Sequence, residues 1–138
     1  MAPAGTRQYT PIQMQKLMFL IDREFAGDIP GAPFFDFQPN DYGPFDRGVY
    51  DELADLERDG MVEILRDSDL RTYRLTGPGL QSGRQLLTQQ NSWVAEGVAQ
   101  DSDWVRRLTF AELVTAIYKK YPDMKERLWT LKRLHFLP

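Results

Sequence analysis

The chain has 138 residues, 42% apolar and 27% charged, with 8 Phe, 6 Tyr and 3 Trp. That is the length of one domain, and so many aromatics exclude a disordered polymer, which lacks the apolar surface to offset chain entropy. Cysteine is absent, which excludes disulfides, thiolate nucleophiles and Cys-based zinc sites, and no apolar run is long enough for a bilayer span.

The opening MAPAGTRQYT has no apolar signal core, so a cytoplasmic protein with no membrane partner is expected. The net charge of −3 is unevenly laid out: residues 1–77 carry 8 basic and 14 acidic side chains, residues 78–138 carry 9 and 6. Such polarity can steer charged partners, although ordinary solvated faces also produce it.

Residues 1–9 read as an N-terminal tail. Thr10, Pro11 and Gln13 then form a helix start with a capping box, and Tyr9 with Met14 form a hydrophobic staple. Met14, Leu17, Met18, Ile21 and Phe25 fall on one face of a helix over about residues 11–26, with Phe19 and Leu20 widening it. Residues 27–45 hold four Pro, three Gly and five aromatics. They predict an aromatic loop packed on the core, with a short strand at 34–37.

Asp46 is placed to cap a second helix carrying Val49, Leu53 and Leu56, and Gly60 sits at its left-handed end. Met61 to Leu65 and Thr72 to Leu75 predict two strands joined by the Asp67-Ser68-Asp69 turn. Helix, glycine, strand, turn, strand is the order of a recognition-type helix with a β-hairpin wing. After Gly77-Pro78-Gly79 a further helix carries Leu80, Leu87, Val94 and Val98, weakened by Gly83 and Gly97 and broken at 101–103. Thr109 and Glu112 make a second capping box ahead of a helix that Pro122 ends, and residues 123–138 predict a last amphipathic helix with Leu128, Leu131 and Leu134. The expected architecture is mainly α with a small β-hairpin: a winged-helix-like core over 10–77 and a helical extension over 78–138 packed on it.

The segments TPIQMQKLMFLID, DYGPFDRGVYDELADLERDGMVEI, YRLT and FAELVTAIYKKYP resemble the small bacterial YwgA-like proteins and, more distantly, the Panacea domain of SocA-like antitoxins. The resemblance spans roughly residues 10–122, and Tyr42-Gly43-Pro44-Phe45 with Val49-Tyr50 is its most specific part. It implies a winged-helix-like fold without catalysis, and for the Panacea relatives an association with toxin neutralisation. It carries over no functional residue. Here the aromatic loop 27–45 takes the place of the second helix of a helix-turn-helix, which argues against ordinary major-groove docking.

The chemistry-bearing residues favour binding over catalysis. His135 is the single histidine, so neither a Ser-His triad with Ser68, Ser82, Ser92 or Ser102 nor a histidine metal site is expected. The carboxylates of residues 46–59 read as a solvated acidic face, and Gly77-Pro78-Gly79 with Gly83 lacks the ending of a phosphate loop. No enzyme, metal or cofactor is therefore expected.

Two binding readings remain. Residues 44–59 carry two basic and six acidic side chains, the wrong sign for a DNA groove, where phosphate neutralisation dominates affinity. The first reading is accordingly an adaptor that holds a protein partner, a toxin or a nucleic-acid enzyme, through Tyr42, Phe45, Arg47, Tyr50, Asp51 and Glu57. The resemblance places such an adaptor among antitoxins or accessories of defence and mobile-element systems. The alternative is a DNA-binding transcriptional regulator using Arg66, Arg71 and Arg74 of the wing with Arg106, Arg107, Lys119 and Lys120 of the basic C-terminal region. Trp129, Phe136 and Leu137 need burial, and a homodimer contact through Trp129 and Phe136 is one way to obtain it.

Overall fold

The computed structural model describes residues 1–67 and 69–125. Over these the protein is mainly helical, with two separate two-stranded antiparallel sheets. Helix α1 (Pro11–Glu24) opens on the complete capping box: the Gln13 amide donates to Thr10 Oγ1 at 3.2 Å, and the Thr10 amide donates to Gln13 Oε1 at 2.9 Å. Met14, Leu17, Phe19, Leu20 and Ile21 are all buried, so α1 is enclosed on more than one side, as its broad apolar face requires.

The strand expected at 34–37 is absent. The buried Asp22 carboxylate accepts the Phe34 and Phe35 amides at 3.0 and 2.9 Å, so these groups need no strand partner. The chain pairs only afterwards, as β1 (Gln38–Asn40) and β2 (Gly43–Phe45), with Pro39 opposite Pro44. A two-stranded hairpin tolerates those prolines because each strand is an edge. The loop does pack on the core as expected: Phe37 is buried and meets Phe19 edge-to-face at 5.5 Å.

Helix α2 (Gly48–Arg58) is entered through Asp46, whose Oδ1 accepts the Gly48 amide at 2.7 Å. Gly60 takes φ +76° at its far end, the left-handed conformation that stops a helix. The wing follows as β3 (Val62–Leu65) and β4 (Thr72–Leu75), with Val62 opposite Leu75. Residues 1–9 are not a loose tail. Tyr9 exchanges backbone hydrogen bonds of 2.7 and 2.9 Å with Tyr73 and is fully buried, and the 3-10 turn Ala2–Ala4 packs on the helices after the wing.

Beyond the wing the helix boundaries differ from expectation. Helix α3 (Gly77–Thr88) ends early, and α4 (Ser92–Arg107) runs straight through 101–103. The Asp-Ser-Asp triplet does not break the helix: Ser102 Oγ hydrogen-bonds the Tyr9 hydroxyl in the core, and Asp103 pairs with Arg107 one turn further along α4. Nor does Gly97 act merely as a weak point. A Cβ there would collide with the Phe25 ring, so glycine lets α4 cross close to the end of α1. Helix α5 (Phe110–Lys120) begins on the expected second capping box.

After it comes a 3-10 turn, Pro122–Met124, so the expected last helix does not start at 123. The remainder of that helix, with Leu128, Trp129, Leu131, Leu134, His135, Phe136 and Leu137, lies outside the described residues. One apolar cluster joins α1, α2, the wing, α4 and α5, so the extension shares its core with the winged-helix-like part. Among the described residues no helix is long and apolar enough to cross a membrane.

Candidate functional site

The hairpin before α2 is held from beneath by α1. Gln15 exchanges two hydrogen bonds with the Asp46 backbone, Nε2 to the carbonyl at 2.9 Å and amide to Oε1 at 3.0 Å. Next to it, the buried Lys16 donates its ammonium to the Pro44 carbonyl at 3.1 Å, and burial pushes that amine down to about 8. Gly43, at φ +97°, lies directly over this amine; a Cβ there would stand 3.0 Å from Lys16 Cε. From α5 the Tyr118 hydroxyl donates to the Asp41 carbonyl at 2.9 Å. Together these bonds fix the hairpin tip and leave Tyr42 60% exposed, edge-to-face with the exposed Phe110 ring at 5.4 Å.

The six residues expected to form one protein-binding face separate into four groups. Tyr42 is at the tip with Phe110. Phe45 and Tyr50 turn towards each other at 5.9 Å, and Tyr50 stacks on Tyr73 at 6.3 Å with the rings 9° apart. Burial raises the Tyr50 hydroxyl above the usual tyrosine range. These two rings close the wing onto α2 and are half-buried. Arg47 and Asp51 are solvent-exposed and lie 4.0 Å apart one turn along α2. Glu57 faces the wing, where the Arg66 guanidinium grips it at 3.0 and 3.4 Å and holds its carboxyl below the ordinary glutamate range.

The seven cations of the DNA-binding alternative are mostly engaged within the chain. Arg66 is on Glu57, and Arg74 is on Glu63 at 2.8 Å. The Arg71 guanidinium lies over the Tyr50 ring at 5.8 Å. Arg107 pairs with Asp103 at 2.9 Å, Lys120 with Glu24 at 3.4 Å, and Arg106 stacks over Tyr9 at 5.5 Å. Lys119 is exposed. Exposed pairs of this kind are individually weak. An arginine that swung to a phosphate would still leave Glu57 or Glu63 beside that phosphate.

The described residues contain no group of three His, Asp or Glu side chains placed to hold a metal ion. Gly77-Pro78-Gly79 is a helix start whose Gly79 amide is already taken by Thr76 Oγ1 at 3.1 Å. The most perturbed carboxyl is Asp101, raised to about 7 by burial and by its bond to the Glu24 side chain, with Lys120 acting in the opposite direction. Neither this pair nor the roles of Gln15, Lys16 and Phe110 can be read from the sequence, because they depend on contacts between distant segments. No family model and no curated protein matches the chain.

Proposed function

We propose that this chain is a non-catalytic module that binds a basic protein partner through residues 42–59. The observation that carries the reading is the engagement of the wing. Arg66 and Arg74 are each paired with a carboxylate of the same chain, Glu57 and Glu63, while on the open side of α2 Asp51 and Asp55, 69% and 52% exposed, pair with Arg47 and Arg58 in a helix that carries more acid than base. That pairing, with the net negative charge of residues 44–59 beside it, supports a basic protein partner over a DNA phosphate. Tyr42 is the aromatic side chain of this stretch left open to a partner, and tyrosine is a favoured interface anchor. The acidic face suits a basic partner such as a toxin or a nucleic-acid enzyme, and the more distant resemblance to Panacea proteins supports the toxin.

Affinity capture from the source cells with the wild type and with Asp51→Lys combined with Asp55→Lys tests the reading. A captured protein that is lost from the variant and at high salt supports it. Capture unchanged by the double reversal overturns it. Fluorescence anisotropy with a random DNA duplex tests the alternative regulator. Micromolar affinity that falls steeply with salt and disappears in Arg71→Glu with Arg74→Glu would replace the adaptor by a DNA-binding protein.

A further inference from the structure

The hairpin tip presents an aromatic surface that the described residues leave uncovered. Tyr42 and Phe110 meet edge-to-face at 5.4 Å, and their side chains are 60% and 51% exposed. They come from different elements, the turn between β1 and β2 and the first residue of α5. The Tyr118 hydroxyl ties those elements together by donating to the Asn40 and Asp41 carbonyls at 3.2 and 2.9 Å. The surface is therefore preformed, and a segment that covers it does not have to order it first.

The described chain ends beside this surface. Lys125 forms a parallel bridge with Asn40, on the edge of β1 that β2 leaves open. Just before it Met124 is buried, in a pocket it shares with Phe35 and Phe37 of the aromatic loop. Because the bridge is parallel, the chain runs from the Phe37 side of β1 towards Asn40, and its direction points on to Asp41 and Tyr42.

Residues 126–138 have the chemistry for that surface. Leu128, Trp129 and Leu131 follow within a few residues of Lys125, and Arg127, Lys132 and Arg133 outnumber Glu126. Apolar groups gain by covering exposed rings, and cations are attracted to aromatic faces. The exposed Asp41 beside Tyr42 adds negative charge. A segment tethered at Asn40 also meets the rings at an effective concentration that a free molecule does not reach.

We propose that residues 126–138 dock on the Tyr42–Phe110 pair of their own chain. The docking involves no other molecule. One consequence rests on the protein-binding reading: a partner anchored on Tyr42 must displace the segment, so the two compete.

The experiment is fluorine NMR of the full chain labelled with fluorotryptophan, whose 3 Trp give separate signals. Trp129→Phe assigns the signal of interest. In the wild type it should be shielded from solvent, read as a small shift between water and deuterium oxide. It should become fully solvated in Tyr42→Ser with Phe110→Ser and stay shielded in Leu86→Ser, an exposed apolar position elsewhere. Unchanged Trp93 and Trp104 signals show that the variants are folded. A Trp129 signal that is solvated in the wild type, or equally shielded in the double variant, overturns the proposal. So does shielding that is lost on dilution, which assigns the contact to a second copy. In affinity capture, Leu128→Asp with Leu131→Asp should raise the partner's yield about threefold or more. A yield that does not rise overturns the competition alone, and no captured partner overturns the protein-binding reading alone, the docking being read from fluorine in either case.

Discussion

Gln15 on α1 and Asp46 at the entrance of α2 are joined by a reciprocal pair of hydrogen bonds, 2.9 and 3.0 Å, between one side-chain amide and one backbone unit. Gln15 is buried, and its amide satisfies groups that no strand or helix reaches. Gln15→Leu removes both bonds at nearly constant volume and strands the Asp46 amide and carbonyl. The expected loss is about 2 kcal/mol, read from the urea midpoint at constant m-value.

Lys16 gives a test in pH. Its folded value of about 8 lies below that of an unfolded lysine, so at neutral pH the native state bears the cost of an enclosed charge. That cost fades as pH rises from about 8 towards 10.5, because the native chain releases its proton first. Lys16→Met carries no such charge. Relative to the variant, the wild type should gain roughly 2 kcal/mol between pH 7 and pH 10, and parallel curves would refute the burial of a charged amine.

Asp101 works in the opposite direction along the pH scale. Its folded value of about 7 stands above the ordinary 3.8, so the native state keeps the proton longer and stability is lost as pH rises between those values. Burial is the main cause, followed by the bond to Glu24 and its charge, while Lys120 partly offsets them. Asp101→Asn should match the wild type near pH 4 and exceed it by about 1–2 kcal/mol at pH 8, a figure reduced for partial solvent exposure. Thermal melts at the two pH values measure the difference.

Gly97→Ala separates helix propensity from packing. Propensity alone favours alanine by about 1 kcal/mol. The new methyl, however, meets the Phe25 ring where α4 crosses α1. Overpacking should outweigh propensity and leave the variant about 1–3 kcal/mol less stable by denaturant titration. A gain in stability would mean that the two helices are not in contact there.

The parts of the fold legible in the sequence are those fixed by neighbours along the chain. Thr10 with Gln13 and Thr109 with Glu112 announce their helices because both capping partners lie within one turn. The wing follows from alternation and a polar turn. The β1–β2 hairpin was hidden because Pro39 and Pro44 argue against strands, and what holds them is Lys16 and Gln15 from another element.

The break placed at 101–103 misread side chains as turn formers when Asp101 and Ser102 were bound for Glu24 and Tyr9. The same gap limits the site. Tyr42, Phe45 and Tyr50 are close in sequence, yet one ring reaches α5 while the other two close the wing.

The backbone rung between Tyr9 and Tyr73 gives the wing a third edge that is supplied from far upstream. During synthesis residue 9 emerges well before its partner and must wait for it, so this rung is a late, order-dependent closure. Pulse-labelled amide exchange should find the Tyr73 proton among the last to gain protection, with the local pairs of β3 and β4 already formed.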